Sequence, residues 1–384
     1  MAPLIIGMMS GTSCDGIDVA IVEFPPSSRP SLRHWCQLAL PSEIRSALPE
    51  IMQGRQDDVD RVAALDRKLG FCYASAVRHA LQEAHLHAHD ALAIGCHGQT
   101  IRHRPEAEPS FSCQIGCAAT LAEMTGITVV SDFRRRDIAA GGQGAPLVPF
   151  AHRILFGWRD ECVAIVNIGG IANITWMNGD HLPLGFDCGP GNMVMDGLMR
   201  LISNHRLHYD VDGLLAGTGK VCEPLLAKLQ QLPYFSRTPP KSTGRELFGD
   251  DILRYILDWP GISDADRMRT ALEWTAWAIA NSTRFLPSMP RRWFVCGGGV
   301  NNPLLMQRLE ELLHPAIVQS TATAGIPPMA VEAVSFAILA KEALLGRPNV
   351  LPSVTGAIRA TVGGQITPGD NWPELLSQLS AWIR

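Results

Sequence analysis

No run of Lys and Arg breaks the mild acidity of this chain. Its 33 basic and 37 acidic residues leave a net charge of −4. The one basic triplet, Arg134-Arg135-Arg136, is flanked by Asp132 and Asp137, so nucleic acid is not an expected partner. No apolar run reaches the roughly 20 residues of a membrane span. No basic leader precedes the first apolar segment, so neither membrane nor export is expected. Ten cysteines are present, but none stands in a CxxC pair. Cys113 and Cys117 are the nearest, with no second pair to complete a zinc site. Most lie in apolar settings such as Phe294-Val295-Cys296, the pattern of reduced, buried thiols in a cytoplasmic protein. Low-complexity tracts are absent. Charged residues make up only 18% against 46% apolar, a ratio that supports a substantial core. The 384 residues suit two domains or one large α/β unit.

What the chain does contain is a repeated layout. Leu4-Ile5-Ile6-Gly7-Met8-Met9 leads through Ser10-Gly11-Thr12-Ser13-Cys14-Asp15-Gly16 into Ile17-Asp18-Val19-Ala20-Ile21-Val22. Val163 to Ile168 leads through Gly169-Gly170 into Ile171-Ala172-Asn173-Ile174-Thr175-Trp176. Each is an apolar strand, a small polar turn and another strand. Such a tip can aim backbone N–H groups at a phosphate, and two of them suggest two related halves gripping one nucleotide. Taken singly, either tip reads first as a plain hairpin, because Gly supplies positive φ cheaply. The first tip carries more hydroxyls and carboxylates than a turn needs. Its Gly11-x4-Gly16 spacing is not a Walker A loop: Ile17-Asp18 stands where Lys-Ser/Thr is required, and a strand follows rather than a helix.

Along the chain, apolar spacing predicts a helix near Val62–Leu86 through Leu65, Leu69, Tyr73 and Val77. Strands are expected at Ala91–Cys96 and Gly126–Val130, each ending in a polar cluster, as α/β sites do at strand carboxyl ends. The glycines of Gly141-Gly142-Gln143-Gly144 mark a boundary. Helices are expected at Ala271–Phe285 and Met329–Leu345, and a short last one near Trp372–Trp382. Between the first two, Trp293 to Cys296 reads as a strand. The Gly297-Gly298-Gly299 turn follows, then a helix with Asn302 as N-cap and Pro303 at N1.

The sharpest candidate for chemistry is Asp187 in Gly185-Phe186-Asp187-Cys188-Gly189-Pro190-Gly191-Asn192. Boxed in by Gly and Pro, its carboxylate suits a general base; it serves as well as an Asx-turn or the N-cap of a helix over 193–202. Gly297, Gly298 and Gly299 can let adenine or ribose lie on bare backbone, or simply make a tight turn. His97 and Thr100 can donate to sugar hydroxyls, although a lone His after a strand is more often structural. Arg135 can neutralise a substrate carboxylate, while Arg134 and Arg136 pair with Asp132 and Asp137. Glu332, at the start of an apolar helix, is either a paired structural acid or a ligand for a polar substrate group.

The segments MSGTSCDGID (9–18), CHGQTIRH (96–103), DFRRRDIAAGGQGAPLVP (132–149), NIGGIANIT (167–175), GFDCGPGN (185–192), PKSTGRE (240–246) and CGGG (296–299) together resemble the anhydro-N-acetylmuramic acid kinase family of the actin/sugar-kinase/Hsp70 superfamily. They run in family order over nearly the whole chain. The resemblance implies a two-domain α/β actin-like, ribonuclease H-like fold with duplicated mixed sheets flanked by helices around an ATP cleft. One domain would span 1–140, with 350–384 packing back on it, and the other 141–350. It implies a cytoplasmic kinase of cell-wall recycling that uses ATP and Mg²⁺. Such an enzyme opens the 1,6-anhydro ring of anhydro-N-acetylmuramate and phosphorylates O6. It would place Gly11, Thr12, Ser13, Cys14, Asp15, Gly16, Ile17 and Asp18 on the ATP phosphates, with Asn167, Gly169, Gly170 and Gly297–Gly299 also on the nucleotide. Asp15 or Asp18 would hold the metal, and Asp187 would be the base. His97, Thr100, Arg135 and Glu332 would line the sugar pocket. Two rivals stay open: another amino-sugar kinase, and an actin- or Hsp70-like ATPase switch. The only expected partner is a small amino-sugar; a homodimer is compatible with the sequence, which does not fix the oligomeric state.

Overall fold

The computed structural model describes residues 2–11, 14, 16–26, 28–55, 58–157 and 160–383. The chain divides into two compact units, Met1–Leu155 with Ala330–Arg384, and Phe156–Met329. The sequence reading set its boundaries near 140 and 350.

In the first unit the initial apolar run becomes β1 (Leu4–Ser10) and β2 (Gly16–Glu23), antiparallel with Met9 opposite Asp18. β3 (Ser31–Ala39) adds antiparallel to β2. β4 (Ala91–Arg104) lies parallel to β1 on its other side, with β5 (Phe111–Ile115) folded back on its far half. β6 (Val129–Ser131) runs parallel to β4. The second unit repeats this plan. β7 (Cys162–Ile168), β8 (Ile171–Asn178) and β9 (Leu184–Pro190) form an antiparallel meander. β10 (Arg292–Cys296) is parallel to β7, and β11 (Ile317–Ser320) is parallel to β10. Both sheets therefore share one order: a three-strand meander, then two strands parallel to its first member. The two hairpins noticed in the sequence occupy the same place in each copy. The chain finally returns to the first sheet, where β12 (Gln365–Thr367) pairs antiparallel with β6 at the edge.

Strand alternation sorts the side chains to two faces. Ile6, Met8, Val19 and Ile21 join Leu65, Leu69, Tyr73 and Val77 of the Val59–Glu83 helix in one core. The opposite face receives the Val331–Leu344 helix on β1 and β4. That helix seats so closely that a Cβ on Gly7 would strike the Ala333 carbonyl, and one on Gly95 the Phe336 carbonyl. In the second unit Val166, Ile174 and Phe186 pack under the Asn192–Ile202, Asp264–Asn281 and Pro303–Leu313 helices. Asn302 caps the last of these, its side chain accepting from the Leu305 N–H at 3.1 Å.

No helix among the described residues is long and apolar enough to cross a membrane.

Candidate active site

Asp187 sits on β9 opposite Asn173 of β8. It caps nothing: the N-cap of the following helix is Gly191, with no side-chain bond. The turn and cap readings of Asp187 therefore fall away, because its carboxylate is engaged elsewhere. The Thr243 N–H donates to Asp187 Oδ2 at 2.9 Å. The Asp187 N–H donates to the Lys241 carbonyl at 3.1 Å, and the Tyr234 hydroxyl donates to the Asp187 carbonyl at 2.7 Å. The 240–246 loop thus clamps Asp187 from two sides. The loop is anchored in turn by Lys241, whose Nζ lies 4.4 Å from the Phe285 ring centre, 4.8 Å from Tyr234 and 5.7 Å from Phe186. Cation–π attraction holds an ammonium in such a cage. Burial, aided by Glu246, pushes the Asp187 carboxyl up to about 7, while the Thr243 N–H and Lys241 pull the other way. Burial likewise brings Lys241 down to about 8. A carboxylate poised near neutrality, with one oxygen fixed, is equipped to take a proton at physiological pH.

Beside it, the end of β7, the 169–170 turn, the start of the Asn192–Ile202 helix and the 297–299 turn come together. The N–H groups of Gly191 and Met193 donate to the Gly170 carbonyl and that of Asn192 to the Gly169 carbonyl, at 2.8–3.1 Å. The Asn192 amide donates to the Ile168 carbonyl at 3.1 Å. Gly297, at φ +78°, leaves no room for a Cβ beside the Asn167 amide, and Gly299 none beside Ile168. Only glycine lets these two turns approach so closely.

In the first unit, Asp18 projects from β2 half-buried. Gln37 Nε2 donates to Asp18 Oδ1 at 3.1 Å. Burial and the like charge of Glu332 push its carboxyl up to about 7. Glu332 starts the Val331–Leu344 helix and also bears on Arg134. Arg134 is half-buried: its Nε donates to His97 Nε2 at 3.0 Å and its Nη1 to the Gly144 carbonyl at 2.7 Å. Burial lowers it to about 10, opposed by Glu332 and Asp137.

The family model for anhydro-N-acetylmuramic acid kinase matches residues 3–369. The chain belongs to the anhydro-N-acetylmuramic acid kinase family. The kinase is 44% identical to the anhydro-N-acetylmuramic acid kinase of Xanthomonas campestris pv. campestris (strain 8004) over 371 residues, 96% of this chain and 98% of that one. It is also 44% identical to the enzyme of that name from Shewanella amazonensis over 367 residues, covering 95% and 98% of the two chains. Among solved structures it is similar to component A of the (R)-2-hydroxyglutaryl-CoA dehydratase of Acidaminococcus fermentans, at 12% identity and TM-score 0.43, covering 88% and 97% of the chains. A ROK family glucokinase from Streptomyces griseus gives 14% identity and TM-score 0.41, covering 88% and 99%.

Several expected site residues of this kinase stand otherwise than the sequence suggested. His97 offers no ring nitrogen to a sugar. Its Nδ1 faces the Gly98 carbonyl at 2.9 Å, its Nε2 accepts from Arg134, and its ring packs on Phe336. Burial and Arg134 lower it to about 3, so it is a neutral spacer. The arginines exchange roles: Arg135, not Arg134, lies beside Asp132, Nε 2.7 Å from Oδ2, and its side chain is 64% exposed. Asp137 accepts from the Gly144 N–H at 2.6 Å and the Thr355 hydroxyl at 2.8 Å instead. Thr100 Oγ1 accepts from Gln114 Nε2 at 3.1 Å. Cys14 and Ile17 turn their side chains into the core, Cys14 against Met52, which leaves only their backbone for a ligand. Gly11 closes the tip, its carbonyl accepting the Cys14 N–H at 3.1 Å, and Gly16 packs against β3. Thr12, Ser13 and Asp15 lie outside the described residues. Lys241, Thr243 and Asn192 were missed as individual residues, although the segments 240–246 and 185–192 that hold them were singled out.

Proposed function

We propose that this kinase hydrolytically opens the 1,6-anhydro ring of anhydro-N-acetylmuramate and transfers the γ-phosphoryl of ATP to the freed O6, giving N-acetylmuramate 6-phosphate and ADP. The clamped carboxyl of Asp187, raised to about 7 by burial, carries this reading. An anhydro sugar has no free O6 hydroxyl, so the base has no substrate proton to remove there. Asp187 takes a proton from water instead, and the water oxygen bonds to C1. The C1–O6 bond breaks and O6 attacks the γ-phosphorus as ADP departs. The proton ends on Asp187 and returns to solvent. The 240–246 loop fixes which oxygen of Asp187 is free to act, since Thr243 occupies Oδ2.

The 167–170 and 297–299 turns are proposed to meet the nucleotide, through backbone left bare by glycine. Thr100, Arg135 and Glu332 are proposed sugar contacts, with half-buried Arg134 added beside Glu332. Mg²⁺ prefers oxygen donors, and the half-buried Asp18, bonded to a neutral amide and facing the like charge of Glu332, fits a cation. Asp18 would hold it, with Asp15 as the alternative, and when bound it neutralises charge on the phosphoryl group. The ten cysteines, scattered without a CxxC pair and mostly in apolar settings, support a cytoplasmic setting and a role in cell-wall recycling, where a homodimer remains the assembly to test.

Asp187→Asn is expected to keep ATP binding and lose about 10²- to 10⁴-fold in turnover, the contribution of a general base. Near-normal turnover with anhydro-N-acetylmuramate would refute the assignment. Assays with ATP, Mg²⁺ and either that sugar or N-acetylglucosamine test the rival readings. Transfer to the anhydro sugar alone supports the proposal; sugar-independent ATP hydrolysis supports a switch protein.

A further inference from the structure

The sequence holds no CxxC pair, yet strand and helix spacing assemble metal-binding side chains by another route. His34 and Cys36 stand two apart on β3, so both point to the face covered by the Val59–Glu83 helix. Their cross-strand partners, Ile21 and Val19, belong to the core under that helix. Glu83 ends the helix above them. The ligating atoms of His34, Cys36 and Glu83 all lie within 4.8 Å of one another. His34 Nε2 is 3.2 Å from Glu83 Oε2. One turn earlier on the helix, His79 places its Nε2 3.3 Å from Glu83 Oε1.

We propose that His34, Cys36 and Glu83 form a site for Zn²⁺ or a similar borderline-soft divalent cation, with His79 as fourth ligand. Thiolate, imidazole and carboxylate are the donors zinc takes, in a tetrahedron with bonds of about 2.0–2.3 Å. Ligand atoms in such a tetrahedron stand roughly 3.3–3.8 Å apart, close to the spacing of the three donors grouped within 4.8 Å, while His79 reaches the group through Glu83. The donor set also separates this site from the one proposed around Asp18, since Mg²⁺ favours oxygen alone. Entry is open: the side chains of Glu83 and His79 are 45% and 47% exposed, and that of His34 23%. β3 is the edge strand of its sheet. A bound ion would tie that edge to the long helix, and by binding only the folded chain would raise its stability.

The test uses the full chain, stripped with a chelator and titrated with Co²⁺, then competed with Zn²⁺. One Co²⁺ per chain is expected, with a thiolate-to-metal charge-transfer band that Zn²⁺ abolishes. Cys36→Ser should lose the band while keeping its circular dichroism and kinase activity. His34→Ala and Glu83→Gln should each weaken Zn²⁺ binding at least about tenfold, since even indirect partners of a metal cost that much. Zn²⁺ should raise the Tm of the parent protein and not of Cys36→Ser. Absence of the band, its persistence in Cys36→Ser, or equal Tm shifts in both proteins would overturn the site. If Cys36→Ser fails to fold, His34→Ala decides: undiminished Zn²⁺ affinity in it overturns the proposal equally.

Discussion

Asp187 takes its basicity from its surroundings. Burial disfavours the carboxylate, and Lys241 and the Thr243 amide keep part of it charged. A base acts only when deprotonated, so kcat/KM should rise with pH through an inflection near 7 and level off above it. Lys241→Met tests the environment of the proposed base rather than Asp187 itself. The thioether chain still fills the cage of Phe186, Tyr234 and Phe285, but a positive charge that pulls the Asp187 carboxyl down is gone. The rising limb should then move to higher pH, with turnover well above the limb largely kept. An unmoved limb would separate Lys241 from Asp187, leaving it only an anchor for the loop. The exchanged arginines teach a related point at this scale. Three adjacent arginines are indistinguishable as residue types, and the fold alone decides that Arg134 is held inward on His97 while Arg135 faces outward.

Elements meet where glycine permits. The Val331–Leu344 helix rests on β4 at Gly95, where an added Cβ would drive into the Phe336 carbonyl and within 2.8 Å of Ala340 Cβ. Gly95→Ala should lower stability by about 1–3 kcal/mol, the cost of overpacking. Gly217, in the Leu214–Thr218 helix, has nothing within 4 Å. Gly217→Ala should raise stability by about 0.4–1 kcal/mol through the unfolded chain. Urea midpoints of the two variants check both signs. Elements with strong local periodicity were legible in the sequence: both hairpins, the long helix ending at Glu83, and the Asn302-Pro303 helix start. β3 was not, because Arg33, His34 and Gln37 interrupt its apolar pattern at a sheet edge. Nor was β12, three residues held only by pairing with β6. The same division runs through the candidate site. Glycine turns at 169–170 and 297–299 announce themselves locally. The aromatic cage of Lys241 and the partial burial of Arg134 arise from contacts distant in sequence, which no local pattern encodes.

Across the whole molecule, the groups that titrate abnormally compete. His97 and His152 are lowered to about 3 and His103 to about 4, all chiefly by burial. Above pH 6.5 these rings are neutral folded or unfolded and add no pH dependence. Below it the unfolded chain takes up protons that the folded one refuses, so stability falls as pH falls. Asp18 and Asp187, raised to about 7, act in the opposite sense. Between about pH 7 and 4 the folded state holds protons that the unfolded chain has released, which favours folding as pH drops. The two carboxylates thus mask part of the acid sensitivity due to the histidines. Asp187→Asn removes one of them while still offering an acceptor to the Thr243 N–H. At pH 8 the parent carries a buried, charged carboxylate at this position and the variant does not, so the variant should have the higher Tm, as expected where activity rests on a destabilised residue. Lowering the pH protonates Asp187 in the parent and erases the advantage, so the Tm difference should shrink steadily towards pH 5. A difference that is constant over this range, or reversed at pH 8, would mean that the Asp187 carboxyl is not raised and that the charge at the proposed base costs the fold nothing.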